Sequence, residues 1–156
     1  MIYFFLLVFL IGYFVLVKRL EFGWDNILTS NQSCNETISV VVAFRNEKDT
    51  IKILSEQLLS QNGCNNQVEI IMVDDHSDDG SFQQLESLEG IVLLQSDGLG
   101  KKAAINKGIS IASGSIILTT DGDCVLTPDW VSSMVSPFND DTIKMVVGPV
   151  VLTNEF

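Results

Sequence analysis

Basic side chains are scarce in this sequence. It carries 9 Lys and Arg against 20 Asp and Glu, for a formal net charge of −11. Lys18 and Arg19 flank an N-terminal apolar run, so residues 20–156 hold only 7 basic side chains against 20 acidic ones, or −13. A chain this acidic does not wrap nucleic acid through its phosphates, and no nucleic-acid partner is expected. Cysteine is scarce as well. Cys34, Cys64 and Cys124 share no metal-ligand spacing, and an odd number gives no disulfide framework, so reduced thiols are expected. His76 is the one histidine, and it is expected to be a turn residue rather than a base or metal ligand. No internal repeat and no low-complexity segment is present.

What is present begins with residues 1–17, which are uncharged and almost wholly apolar. As a helix they span roughly 25 Å, near the short limit for crossing a bilayer. Leu20 and Phe22 extend the apolar character past the charged pair. A cleaved signal peptide starts with basic residues and ends at a small-residue site. Here the basic residues follow the run, and no A-x-A-like site comes after them. The expectation is an uncleaved single-pass anchor over residues 1–19, with Lys18 and Arg19 leaving the remainder in the cytoplasm. Residues 20–37 are mixed and polar and read as a juxtamembrane connector.

From residue 38 the chain alternates. Strands are expected at residues 38–43, 68–73, 91–94, 115–118 and 143–151. Helices are expected at 48–61, stopped by Gly63, at 82–88, and at 101–112, stopped by Gly114, the last with Ile105, Ile109 and Ala112 on one face. Thr127-Pro128-Asp129 reads as an N-cap followed by proline at the first helical position. Strands that alternate with helices and are nearly continuously apolar form a parallel sheet covered on both faces. Ligands of such sheets bind beyond the carboxyl ends of the strands.

The residues at those ends are the informative ones. Ala43-Phe44-Arg45-Asn46-Glu47 leaves the first strand. Phe44 or Arg45 can lie beside a planar base and Glu47 can accept from a ribose hydroxyl; helix capping by Asn46 and Glu47 accounts for the same residues. Asp74-Asp75 follows the second strand, where a carboxylate can accept the imide N–H of uracil, while Asp78 and Asp79 suit the turn that follows. Gly98-Leu99-Gly100-Lys101-Lys102-Ala103 fits G-x-G-x-x-A. It lies in the third βα unit rather than the first, and Lys101 or Lys102 can instead offset diphosphate charge. Thr120-Asp121-Gly122-Asp123 places two carboxylates one residue apart after an apolar run. Side chains at i and i+2 of a strand share a face. Two aligned hard oxygens suit a divalent cation that also holds phosphate. Asp129 and Asp140 are further acids that no spacing recommends.

Residues 39–47, 73–81 and 100–108, with Asp121 and Asp123, resemble the ordered motifs of family 2 glycosyltransferases from residue 38 to about residue 150. The resemblance implies a GT-A fold: a Rossmann-like α/β domain over residues 38–156, with a mostly parallel sheet and helices on both faces, after one transmembrane helix. It implies a nucleotide-sugar donor, commonly a UDP-sugar, with Mg²⁺ or Mn²⁺, and a saccharide or lipid-linked acceptor at the membrane. By the same analogy Ala43, Arg45 and Glu47 border the nucleoside, Asp75 meets the base and Lys101 lies near the base or diphosphate. Asp121 and Asp123 serve the ribose, diphosphate and metal, with Asp123 the favoured ligand. An inverting displacement needs a carboxylate base. The family carries that base in an E-D or D-type motif after the D-x-D strand, often followed by Q-x-x-R-W, and neither motif is in this sequence. The chain therefore reads as the donor-binding half of such an enzyme, its acceptor half missing and its base expected beyond Phe156. Two other readings stay open: a non-catalytic nucleotide-sugar-binding fragment or subunit, and a nicotinamide-binding oxidoreductase built on residues 98–103.

Overall fold

The computed structural model describes residues 1–25, 36–62 and 68–151. Cys34, Cys64 and the Gly63 stop lie outside the described residues. The chain opens with helix α1 (Ile2–Asp25), which runs beyond residue 19. Its segment Ile2–Glu21 is long and apolar enough to cross a membrane, and none of it is buried.

The α/β domain follows in the order β1 (Ile38–Phe44), α2 (Ile51–Leu59), β2 (Val68–Asp74), α3 (Ser81–Leu85), β3 (Val92–Gln95), α4 (Lys101–Ile111), β4 (Ile116–Asp121), α5 (Trp130–Val135) and a 3₁₀ turn at Ser136–Asn139. The four strands form one sheet in the order β3-β2-β1-β4, with every pairing parallel. β1 is central and all seven of its residues are buried, as β-branched runs covered on both faces should be. On one face, Val40, Val42 and Phe44 pack with Ile51, Leu54 and Leu58 of α2 and Val131 and Val135 of α5. On the other, Val41, Ala43, Ile71 and Val73 pack with Ala104 of α4.

Three expectations are corrected here. Ile105 and Ala112 of the expected α4 face do pack against the core, but its buried centre is Ala104 and Gly108, and Ile109 is 41% exposed. Small residues let the helix approach the sheet closely: a Cβ on Gly108 would sit 2.4 Å from Val41 Cγ1. The helix after the D-x-D begins at Trp130, behind a turn rather than at Pro128. The Thr127 carbonyl accepts the Trp130 N–H and the Pro128 carbonyl accepts the Asn62 N–H, which keeps both out of the helix. Residues 143–151 form no strand. Met145, Val147, Val150 and Val151 are each more than three-quarters exposed, and no strand among the described residues offers them a ladder.

β1, β2 and β3 step one way across the sheet, whereas β4 returns to the far side of β1. The strand order therefore reverses between β1 and β4, and a crevice opens at the carboxyl ends of such strands.

Candidate functional site

The register fixes where the strand ends meet. Ala43 lies opposite Val73 on one side and Asp121 on the other, and Phe44 lies opposite Asp74. Every loop at this edge starts from the same level.

The β1 and β2 loops are sewn together. Asn46 holds a left-handed backbone, φ +56°. Its N–H donates to Ser77 Oγ and its Oδ1 accepts the Asp78 N–H, both at 2.9 Å. The Glu47 N–H donates to Ser81 Oγ and the Lys48 N–H to Asp79 Oδ2. Asn46 is thus a brace between loops and caps no helix, since α2 starts five residues later behind Thr50. Asp79 also accepts the hydroxyl and N–H of Ser81 at the start of α3. The Ser81 hydroxyl holds its carboxyl below the usual carboxylate range. His76 is a turn residue, with φ +61°.

The two carboxylates at the end of β2 are buried and have different partners. Asp74 accepts the Ser77 N–H on both oxygens, at 3.1 and 3.2 Å. Asp75 accepts the Gly100 N–H on Oδ1 at 2.8 Å, and its Oδ2 faces the Arg45 guanidinium at 4.0 Å. Gly100, at φ +93°, turns the β3–α4 loop so that its amide reaches Asp75. This bond uses an amide that a dinucleotide site would need for pyrophosphate. The loop also follows β3, the edge strand away from the switch point. The nicotinamide reading loses its geometry on both counts.

Asp121 is the last residue of β4, and Asp123 sits in the turn beyond it. The pair therefore straddles the strand end instead of sharing a strand face. Gly122 between them is buried: a Cβ there would lie 2.8 Å from Phe44 Cβ. Its carbonyl accepts from Thr50 Oγ1 at 3.1 Å, and Thr50 also reaches Glu47 Oε2. Lys101 Nζ lies 2.5 Å from Asp121 Oδ1, both side chains 55% exposed. An exposed pair of this kind contributes about 0–1 kcal/mol to stability. It answers the charge repulsion of adjacent carboxylates with a lysine.

Ala43, Arg45, Glu47, Asp75, Lys101, Asp121 and Asp123 all line one open cleft of about 220 Å³, together with Phe44 and Gly122. The Phe44 ring belongs to the core and is 3% exposed. Of the two residues proposed to flank a base, Arg45 is the one whose side chain is free to do so. Thr50 and Gly122 are supports that the sequence does not reveal. Their contact joins positions 72 residues apart, and no local pattern signals it. Asp121 and Asp123 are exposed hard-oxygen donors on one wall, a set that fits Mg²⁺ or Mn²⁺. Among the described residues no three His, Cys, Asp or Glu side chains cluster to hold an ion. A cation held there would need its other oxygens from substrate or water.

Residues 39–155 match the family described as glycosyl transferase family 2. The chain is 29% identical over 123 residues to the glycosyltransferase AglE of Haloferax volcanii, an alignment covering 74% of this chain and 40% of that protein. It is 32% identical over 119 residues to the dodecaprenyl-phosphate galacturonate synthase of Rhizobium johnstonii, covering 71% and 35%. The chain thus spans about two-fifths or less of the length of these curated relatives. Among solved structures it is similar to the mannosyltransferase PcManGT of Pyrobaculum calidifontis in complex with GDP-Man and Mn²⁺. The TM-score is 0.65 at 21% identity, over 76% of this chain and 36% of that one. At that identity the likeness establishes the fold.

Proposed function

This chain belongs to glycosyl transferase family 2, and from that premise we propose that its cleft binds a UDP-sugar with Mg²⁺ or Mn²⁺ for inverting transfer to a polysaccharide, glycolipid or other acceptor at the membrane. The observation that carries the proposal is convergence. Seven side chains from two strand ends, three loops and a helix start line one cleft at the reversal point of a parallel sheet. At about 220 Å³ the cleft is smaller than ordinary ligand cavities of roughly 300–1,000 Å³, so these residues enclose part of a donor rather than all of it.

Each side chain has a task. Asp75 Oδ1 is committed to the Gly100 N–H, which leaves Oδ2 as a single acceptor aimed at a base. One oxygen suits the one imide N–H of uracil, whereas the paired N–H groups of guanine call for two. Arg45, more than half exposed beside Asp75, covers the ring. Glu47, held by Thr50, accepts from a ribose hydroxyl. Lys101 supplies a cation for the diphosphate. Asp121 and Asp123 hold the divalent ion, which when bound neutralises the charge that grows on the leaving diphosphate. Inverting transfer also needs a carboxylate base for the acceptor's proton, and the carboxylates of this cleft already have donor or metal tasks in this reading. The membrane assignment rests on α1, which is long and apolar enough to cross a bilayer, and on the lipid-phosphate named for the Rhizobium relative.

Competition binding tests the base assignment. With Mn²⁺ present, UDP should bind at least tenfold more tightly than GDP or CDP, and Asp75→Asn should erase most of that preference. Equal affinity for UDP and GDP in the parent chain would overturn the uracil reading while leaving a nucleotide site in place.

A further inference from the structure

We infer that Lys101 and a divalent cation compete for Asp121, and that the diphosphate of the donor settles the competition by drawing the lysine away. The inference rests on the donor-site reading above and concerns how that site loads. Lys101 Nζ stands 2.5 Å from Asp121 Oδ1, so a cation coordinated by the same oxygen would lie close to the ammonium and be repelled by it. Asp123, the other carboxylate of the pair, has no ion pair among the described residues. The lysine thus holds one of the two carboxylates that a cation would share. With no third carboxylate, histidine or thiol clustered nearby among the described residues, a cation that must face Lys101 gains little from the protein alone.

The placement of Lys101 makes the competition reversible. It is the first residue of α4, and the Gly100 N–H before it is tied to Asp75 Oδ1. The backbone under the lysine is therefore anchored on the carboxylate expected to meet the base. The side chain above it is a flexible four-carbon stem with a strongly hydrated charge. It is 55% exposed, so it can turn from Asp121 to a diphosphate lying in the same cleft without moving the helix. Once it turns, Asp121 is free, and phosphate oxygens complete the cation's ligands. Nucleotide and cation then bind synergistically, each raising the other's affinity by the same factor. A cation alone meets Asp121 already paired with Lys101, and a nucleotide alone meets Lys101 already paired with Asp121.

The test is titration of the full chain in detergent with Mn²⁺ alone, reading free Mn²⁺ by electron paramagnetic resonance, and again with saturating UDP. Lys101→Met should bind Mn²⁺ alone roughly three- to tenfold more tightly than the parent, and its enhancement by UDP should shrink by a similar factor. Lys101→Arg, which keeps the charge, should retain the parent's weak binding of Mn²⁺ alone. Lys52→Met removes the same charge from the exposed side of α2 and should change neither value. The inference is overturned if Lys101→Met binds Mn²⁺ alone no more tightly than the parent, or if Lys52→Met tightens it equally. The Mn²⁺-alone comparison decides the lysine's role by itself. Failure of the parent to bind UDP at any Mn²⁺ concentration would instead sink the donor-site reading.

Discussion

Gly122 shows how narrow the tolerances are at the residue scale. It carries the D-x-D turn past Phe44 at a distance that admits no Cβ, with Phe44 Cβ 2.8 Å away and Glu47 Cγ 3.2 Å away. The Phe44 Cβ is fixed to a buried central strand and cannot yield. Gly122→Ala should therefore cost about 1–3 kcal/mol of stability by overpacking and shift Asp121 against Asp123. Chemical denaturation and Mn²⁺-dependent UDP binding measure the two effects; unchanged values in both would show that the turn is slack. The two carboxylates themselves were legible in the sequence, because hard-oxygen pairs after an apolar run carry a direct chemical meaning. The braces around them were not. Asn46 looks like a helix cap by residue type, yet its left-handed backbone and its bonds to Ser77 and Asp78 depend on a loop thirty residues away. The exchange between Gly100 and Asp75 is equally non-local.

At the scale of elements, α4 and the polar latch below it set the sheet's geometry. Gly108 lets α4 approach Val41 and Val73, which in turn sets where Lys101 and Gly100 stand at its start. Gly108→Ala gains about 1 kcal/mol of helix propensity but forces a Cβ to within 2.4 Å of Val41. Net destabilisation of about 1–2 kcal/mol is expected, and thermal unfolding reads it; a raised Tm would contradict the close approach. At the opposite edge, Glu69 of β2 accepts from Ser39 of β1 and from the N–H and hydroxyl of Ser113. The Ser113 N–H, foremost, holds its carboxyl below the ordinary range. A depressed carboxyl stabilises the fold above its unfolded value, and that contribution is lost as pH falls through the folded value. Glu69→Gln should therefore flatten the acid limb of a Tm-against-pH curve below the ordinary carboxylate range and leave its neutral region parallel to the parent's. The strand and helix order was legible from apolar period alone. The run at 143–151 misled because β-branched composition marks a strand only where a partner pairs with it; on α4, Ile105 and Ala112 were placed rightly, while Ala104 and Gly108 were hidden because small residues carry little apolar signal.

For the whole molecule, the acidic balance, the apolar N-terminal helix and the parallel sheet combine into one account. A chain at −11 attracts a cation more readily than it does a free polyphosphate, so an anionic donor needs local cations to enter. Arg45 and Lys101 are two such cations on the cleft wall, and a divalent ion would be the third. Donor binding should then depend on that ion through Asp123. Isothermal titration of UDP into the full chain in detergent, with Mn²⁺ and then with the metal chelated, tests it most directly. Binding with Mn²⁺ should weaken at least tenfold on chelation, with the same loss in Asp123→Ala when Mn²⁺ is present. Equal UDP affinity with and without Mn²⁺, unchanged in Asp123→Ala, would contradict it.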